Sequence, residues 1–266
     1  MATMLAPLRR YTKTAAMAAT SYVGDSPLFL ADYLLRLVRV LVLLSIWRTI
    51  LTGRGTVSGM TLGAVLTYTL IGEAFAEQLS VRTELGNALW EGSVATRFLQ
   101  PMSMVGQFAS DMIGRWCFGL CAFSLPLLLL SRLLDVSPQP ASPAAGGWFI
   151  LSLILGTSVG LALEFIFASL AVALEQPIWF IDYVRRAVTT LLSGALVPFA
   201  LLPEGIGVVF TWLPFASTAS APLRIYTGTG DAVRLLLVQV GWSILLWALA
   251  RWLWQVSREK LVGFGG

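Results

Sequence analysis

Three carboxylic acids lie inside long apolar stretches of this sequence, where an ionisable side chain is expensive to place. Glu73 and Glu77 are four positions apart and share one face of a helix, and Glu164 lies near the middle of another apolar run. A carboxyl group in such surroundings carries a proton, contacts a polar substrate, or is held by a hydrogen bond or an arginine. Glu164, Glu73 and Glu77 are therefore candidates for a translocation path. For Glu164 a helix-packing hydrogen bond is an equal alternative. Glu73 and Glu77 are expected to meet the cytoplasmic vestibule or neighbouring coupling elements rather than the substrate.

Two other acid–base pairs have the spacing of ion pairs within one helix. Asp32 stands four residues before Arg36, with Arg39 one turn further, and Asp111 stands four residues before Arg115. We expect both pairs to be structural. The sequence contains no histidine, which excludes imidazole as a base, a proton shuttle or a metal ligand. No Ser-His or Cys-His nucleophile is possible either.

The composition places these charges in a membrane protein. Apolar residues make up 57% of the 266 positions and charged residues only 12%. A soluble domain is normally about a quarter charged. The net charge of +4 is typical of lysine and arginine at the cytoplasmic ends of spans rather than of a nucleic-acid partner.

Six apolar segments approach the roughly twenty residues needed to cross a bilayer. They cover residues 28–51, 57–79, 105–134, 148–174, a fifth segment that starts near Ala187, and 235–254. We predict an all-α polytopic membrane protein with six transmembrane helices in a single domain, 1–266. Residues 1–24 have apolar and basic faces and predict an amphipathic helix at the interface. The positive charges favour both termini in the cytoplasm of a bacterial inner-membrane protein.

A polar interruption, residues 80–104, separates the second and third spans. As one helix it would place Leu85, Ala88, Leu89, Gly92, Thr96 and Leu99 on one face and Glu84, Asn87 and Glu91 on another. Such a helix would lie along the membrane edge and present its polar side to a partner.

A second irregular segment, residues 194–230, separates the fifth and sixth spans. It is apolar but is interrupted by Pro198, Pro203, Pro214 and Pro222, so each apolar piece is too short to cross. Because backbone groups at membrane depth need hydrogen-bond partners, we expect short helices that enter from the outer surface and return.

Two motifs in these segments resemble those of ABC-2 family permeases, in the six-span subfamily of about 260 residues. The run Glu91-Gly92-Ser93 … Arg97-Phe98-Leu99-Gln100-Pro101 is similar to the G-x(n)-L-L-R-P motif, with Gln100 in place of the usual arginine. The second motif resembles the family's C-terminal pattern and comprises Gly194, Pro198, Pro203, Pro214, Phe215, Pro222 and Gly228.

The resemblance implies a type V exporter-like fold. In that fold a cytoplasmic coupling helix after the second span docks on a separate ATPase, and extracellular re-entrant helices lie between the fifth and sixth spans. It assigns docking to Glu84, Asn87, Glu91, Gly92 and Arg97, and a structural role to Pro101 and the C-terminal motif. It also implies two nucleotide-binding ATPase subunits, a second permease chain and surrounding lipid.

The chain has no G-x-x-x-x-G-K-[ST] phosphate loop. We therefore expect no cofactor on this chain and ATP with Mg²⁺ on the partner ATPase. The leading hypothesis is a transport subunit, with no catalytic residue of its own, that exports a lipophilic or amphiphilic compound. The alternatives are a proton-coupled carrier that uses Glu164 and Glu73, and a membrane enzyme acting on lipid-linked substrates.

Overall fold

Nearly all regular structure in this chain is helical. The computed structural model describes residues 2–24, 29–53, 55–57 and 59–264. The helices are α1 (Ala2–Gly24), α2 (Phe29–Leu51), α3 (Leu62–Ala74), α4 (Ala76–Leu79), α5 (Leu85–Trp90), α6 (Val94–Phe98), α7 (Met104–Gly119), α8 (Leu125–Leu130), α9 (Pro143–Ala173), α10 (Ile178–Leu192), α11 (Glu204–Thr211), α12 (Ser220–Tyr226) and α13 (Ala232–Phe264). A π-helical turn, Leu120–Ser124, joins α7 to α8, and 3₁₀ turns occupy Phe199–Leu201 and Pro214–Ser217. Two short antiparallel strands, β1 (Thr56–Val57) and β2 (Met60–Thr61), form a hairpin.

Three helices in the described ranges are long and apolar enough to cross a membrane. The first is Met104–Leu130, which consists of α7, the π-helical turn and α8. The other two are Pro143–Ala173 and Ala232–Ser257. They correspond to the third, fourth and sixth predicted spans. The longest, α9, starts where the Ser142 hydroxyl accepts a hydrogen bond from the Ala145 N–H and where Pro143 occupies the first turn.

The first two predicted spans form a packed pair, α2 against α3. Val40 and Leu44 of α2 and Tyr68 and Ile71 of α3 belong to one buried apolar cluster. The helix of the second span begins at Leu62 rather than near residue 57, because residues 56–61 form the β-hairpin. After Ala74 the helix breaks at Phe75, and α4 completes the predicted span.

The helix at the fifth predicted span starts earlier than expected. Its helix, α10, begins at Ile178 and ends at Leu192, instead of starting near Ala187. Pro177 precedes the first residue of α10, a position that a proline tolerates well. The predicted polar break at Arg185 and Arg186 is inside the helix, where Asp182 binds both arginines.

The N-terminal helix α1 packs along α7. The Tyr11 ring lies against Gly106, and the Ala15 carbonyl oxygen lies so close to Gly114 that a Cβ there would overlap it. The basic residues Arg9, Arg10 and Lys13 are exposed. This division of faces agrees with the amphipathic pattern, and the interfacial position of α1 stays a prediction.

Residues 194–230 consist of short helices and turns. The longest is α11 with 8 residues, and α12 has 7. At about 1.5 Å per residue neither approaches the width of a bilayer core. Gly194 and Gly228 have φ of 75° and 67°, a left-handed conformation that favours glycine. The Tyr68 hydroxyl of α3 donates to the Gly194 carbonyl at 2.7 Å and fixes the start of this segment.

Candidate functional site

The segment between α4 and α7, called here the docking segment (residues 84–100), consists of two short helices. The prediction of one continuous helix was wrong: α5 ends at Trp90, and Gly92 takes a φ of 70° before α6 begins at Val94. A glycine in the left-handed conformation just after a helix is a common way to end it. The turn at Gly92 gives α6 a different direction from α5.

The inner face of the docking segment rests on the ends of the long helices. Leu85, Ala88 and Val94 are buried in one apolar cluster with residues of three other helices. Those residues are Phe108 of α7, Phe165 and Ala168 of α9, and Ala250 of α13. The segment therefore packs against all three helices.

The outer face of the docking segment combines apolar and acidic groups. Trp90 is 68% exposed and Leu99 is 86% exposed, and Glu91 and Gly92 are exposed between them. Leu99 was predicted on the same helical face as Leu85, but Leu85 is buried and Leu99 is exposed, because the turn at Gly92 interrupts the helix between them. Sequence reasoning also missed Trp90, although a tryptophan beside the polar Glu91 was a visible signal, because tryptophan is enriched at binding hot spots.

Two of the predicted docking residues form ion pairs within the chain. Glu84 pairs with Arg115, and Arg97 pairs with Asp111 at 2.9 Å while its guanidinium lies 4.4 Å from the centre of the Phe108 ring. The predicted Asp111–Arg115 pair was therefore wrong, because each partner binds a charge of the docking segment instead. These two bridges attach the segment to α7.

Asn87 of α5 also serves the chain itself, since its amide donates to the Glu84 carboxylate at 2.5 Å. The remaining predicted docking residues, Glu91 and Gly92, are exposed, and Glu91 forms no ion pair with any side chain that the structure describes.

A buried cluster of polar groups, which we call the joint, connects the start of the docking segment to α9 and α10. The Glu164 carboxylate accepts hydrogen bonds from the Thr83 N–H at 2.9 and 3.0 Å, and Arg185 lies 3.8 Å away. Arg185 in turn donates to the Val81 carbonyl at 3.2 Å and to Asp182 at 2.7 Å. Both Glu164 and Arg185 are only 6% exposed. The joint thus fixes residues 81–83, immediately before the docking segment.

Positive charge accumulates at this joint. Burial and, after it, the charges of Arg186 and Arg185 lower the pKa of the Arg82 guanidinium. Asp182 provides the opposing carboxylate.

The other two candidate translocation residues pair with arginines of α2, Glu73 from α3 and Glu77 from α4. Glu73 lies 2.8 Å from Arg39, and Glu77 lies 2.6 Å from Arg36. The predicted Asp32–Arg36 pair is confirmed at 2.9 Å. The three predicted translocation residues therefore lie in two separate places, with Glu164 at the α9–α10 joint and the other two where α3 and α4 meet α2. The part they play in transport stays a prediction.

The motif residues of the second irregular segment shape its turns. Pro198 and Pro203 immediately precede helical turns, and Pro214 begins a 3₁₀ turn that includes Phe215. Pro222 lies in the first turn of α12. In the docking segment's motif, the carbonyl of Pro101 accepts a 3.4 Å hydrogen bond from Arg10.

The described residues contain no group of three or more His, Cys, Asp or Glu side chains arranged to hold a metal ion.

A family model described as ABC-2 family transporter protein matches residues 37–265, from the middle of α2 to the C-terminal end. No curated protein and no solved structure matches the chain.

Proposed function

This chain belongs to the ABC-2 family of transporter proteins, and we propose that it is the permease subunit of an ATP-driven exporter. The observation that supports this proposal best is the docking segment. Its outer face offers an exposed tryptophan and carboxylate, and its inner face rests on α7, α9 and α13. A segment whose outer face is exposed and whose inner face packs against three helices is suited to transmitting a conformational change from a partner to the membrane helices.

The proposed partner is a pair of separate nucleotide-binding subunits. The chain lacks a phosphate loop, so ATP and Mg²⁺ would be bound by those subunits. In this arrangement Glu91, Gly92 and Trp90 contact the ATPase, while Glu84 and Arg97 hold the docking segment in place.

The proposed topology has six crossings, formed by α2, α3 with α4, α7 with α8, α9, α10 and α13. Both termini and the docking segment face the cytoplasm, and residues 194–230 lie at the outer surface. The β-hairpin between α2 and α3 would then lie at that surface as well.

A second permease chain would complete the pathway. We propose that spans one and five form the interface between the two chains. Supporting this, α2 carries an exposed strip that combines apolar residues with small hydroxyl residues, namely Leu41, Val42, Ser45, Ile46, Thr49 and Ile50. Small residues let helices approach closely in a bilayer.

The alternatives are less well supported by the contacts. A proton-coupled carrier needs carboxylates that are free to change protonation, whereas Glu73 binds Arg39 and Glu164 binds the Thr83 N–H and lies near Arg185. A membrane enzyme needs a cluster of catalytic groups, and the carboxylates are distributed over separate helix contacts.

We predict that the purified chain alone hydrolyses no ATP and gains ATP-dependent transport only with a soluble nucleotide-binding subunit. The physical reason is the missing phosphate loop. The measurement is phosphate release by the chain in nanodiscs, followed by the same assay after co-expression with a candidate ATPase. Steady hydrolysis by the single chain, resistant to further purification, would contradict the proposal.

We also predict that single cysteines at Gly205 and Thr229 both react with a membrane-impermeant maleimide added outside intact cells. Gly205 lies in the first turn of α11 and Thr229 follows α12; because these helices are too short to cross, both positions belong to the same side. The free Cys117 and Cys121 are first replaced by serine. A cysteine at Gly92 is the matched control, and it should react only after the cells are opened. Labelling of Gly205 and Thr229 from opposite sides would disprove the topology.

A further inference from the structure

A cavity of about 860 Å³ opens at the end of the molecule that carries the β-hairpin. Its walls come from the hairpin at Gly59 and Met60, from the short helices of residues 194–230 and from the first turns of α13. Much of the lining is apolar or aromatic and includes Phe199, Val208 and Trp212. This volume is within the range of sites that bind small organic molecules.

Two arginines give the cavity a positive character. Arg224 of α12 is partly buried, and its side chain passes so close to Gly230 that a Cβ there would lie 3.3 Å from the Arg224 Nε. Among the side chains that the structure describes, no carboxylate lies within 4 Å of the Arg224 guanidinium. The second arginine, Arg234, lies 5.1 Å from the centre of the Trp212 ring.

The acidic residue of the cavity, Asp231, is engaged elsewhere. Its carboxylate accepts hydrogen bonds from the backbone N–H groups of Val233 and Arg234 at 3.0 and 3.3 Å, and so caps the start of α13. The two guanidinium groups therefore outweigh the single carboxylate among the described lining residues.

We propose that this cavity binds an amphiphilic anion. An acidic head group, a carboxylate or a phosphate monoester, would lie between Arg224 and Arg234, and the apolar body would pack against Phe199, Val208 and Trp212. Guanidinium groups are well matched to both acids, because they offer several N–H donors in one plane. An alkylammonium compound would be repelled by the same charges.

This inference deepens the proposed function, since it names the class of compound that an exporter would hold at its outer end. The same chemistry describes two sources: an acidic lipid of the outer leaflet, or a soluble amphiphile that has crossed the membrane. The binding test below uses neither ATP nor the ATPase. Its failure would therefore leave the permease role untouched, and failure of the permease role would not affect the binding result.

The experiment is equilibrium dialysis of radiolabelled dodecyl phosphate against the full chain in nanodiscs of zwitterionic lipid, with empty nanodiscs subtracted. We expect saturable binding that weakens about tenfold in Arg224→Gln and in Arg234→Gln. Arg224→Lys should recover part of the loss. The matched control is Arg132→Gln, because Arg132 is an exposed arginine in the loop after α8, outside the lining of this cavity.

Four comparisons decide the result. Dodecyl phosphate that binds wild type and Arg224→Gln equally would overturn the proposal, as would dodecyltrimethylammonium binding as tightly as dodecyl phosphate. Inorganic phosphate should compete weakly, because it lacks the apolar body. Nanodiscs that contain an anionic phospholipid separate the sources: loss of dodecyl phosphate binding there identifies lipid as the occupant, and unchanged binding identifies a soluble amphiphile.

Discussion

Trp90→Ala is expected to reduce binding of the nucleotide-binding subunit to this chain by about thirtyfold or more, while the membrane helices remain inserted. Trp90 is 68% exposed and stands at the end of α5 beside Glu91. An exposed tryptophan that becomes buried in an interface commonly contributes about 2 kcal/mol or more, which corresponds to roughly thirtyfold. Glu91→Lys and Gly92→Trp should weaken binding at the same place, by charge reversal and by bulk. Pull-down of the ATPase together with transport is the measurement.

Matched variants at Gly92 show whether a loss of ATPase binding comes from a blocked docking surface or from backbone strain. Gly92 has a φ of 70°, so any other residue is strained there, yet a Cβ at this position meets nothing within 4 Å. Gly92→Ala carries the strain without the bulk and should keep most of the ATPase binding, whereas Gly92→Trp should not. Glu91→Gln similarly removes the charge without reversing it. If Trp90→Ala, Glu91→Lys and Gly92→Trp all bind the ATPase and transport normally, the docking surface lies elsewhere.

The sequence was informative wherever the relevant contact is local. Asp32 and Arg36 are four residues apart on one helix, and they form the expected ion pair. The prolines and glycines of residues 194–230 likewise predicted short helices, because their effect on the backbone does not depend on distant partners. The long apolar helices α9 and α13 were visible from composition alone.

The sequence was misleading where distant residues compete for the same charge. Asp111 has Arg115 at helical spacing, but Arg97 reaches it across the fold, and Arg115 turns to Glu84. Spacing along the chain cannot rank these partners. Arg185 was taken as a polar break partly for this reason: the Val81 carbonyl that it binds comes from a distant segment, although its other partner, Asp182, stands only three residues earlier in α10. The single helix predicted over this segment was wrong because one left-handed glycine, Gly92, separates α5 from α6.

The joint at Glu164 and Arg185 should separate ATPase binding from transport. Because Arg185 holds the Val81 carbonyl and lies near Glu164, Arg185→Gln would release residues 81–83 and leave a buried carboxylate without its positive neighbour. Removing one partner of a buried ion pair typically costs about 3–5 kcal/mol. We expect a lower melting temperature, normal ATPase binding through the intact outer face, and a large loss of transport. Arg186→Gln, at an exposed neighbouring position, is the control and should change little.

The double variant Glu164→Gln/Arg185→Gln tests the origin of that loss. Glutamine at 164 keeps an oxygen that accepts from the Thr83 N–H and removes the buried charge, so part of the lost stability should return. Glu164→Gln alone should preserve much of the transport if the residue acts as a joint, whereas a proton carrier at this position would lose transport entirely. Thermal unfolding and ATP-driven uptake into inverted vesicles, measured on all three variants, distinguish the two roles. Wild-type stability and transport in Arg185→Gln would show that the joint contributes to neither stability nor transport.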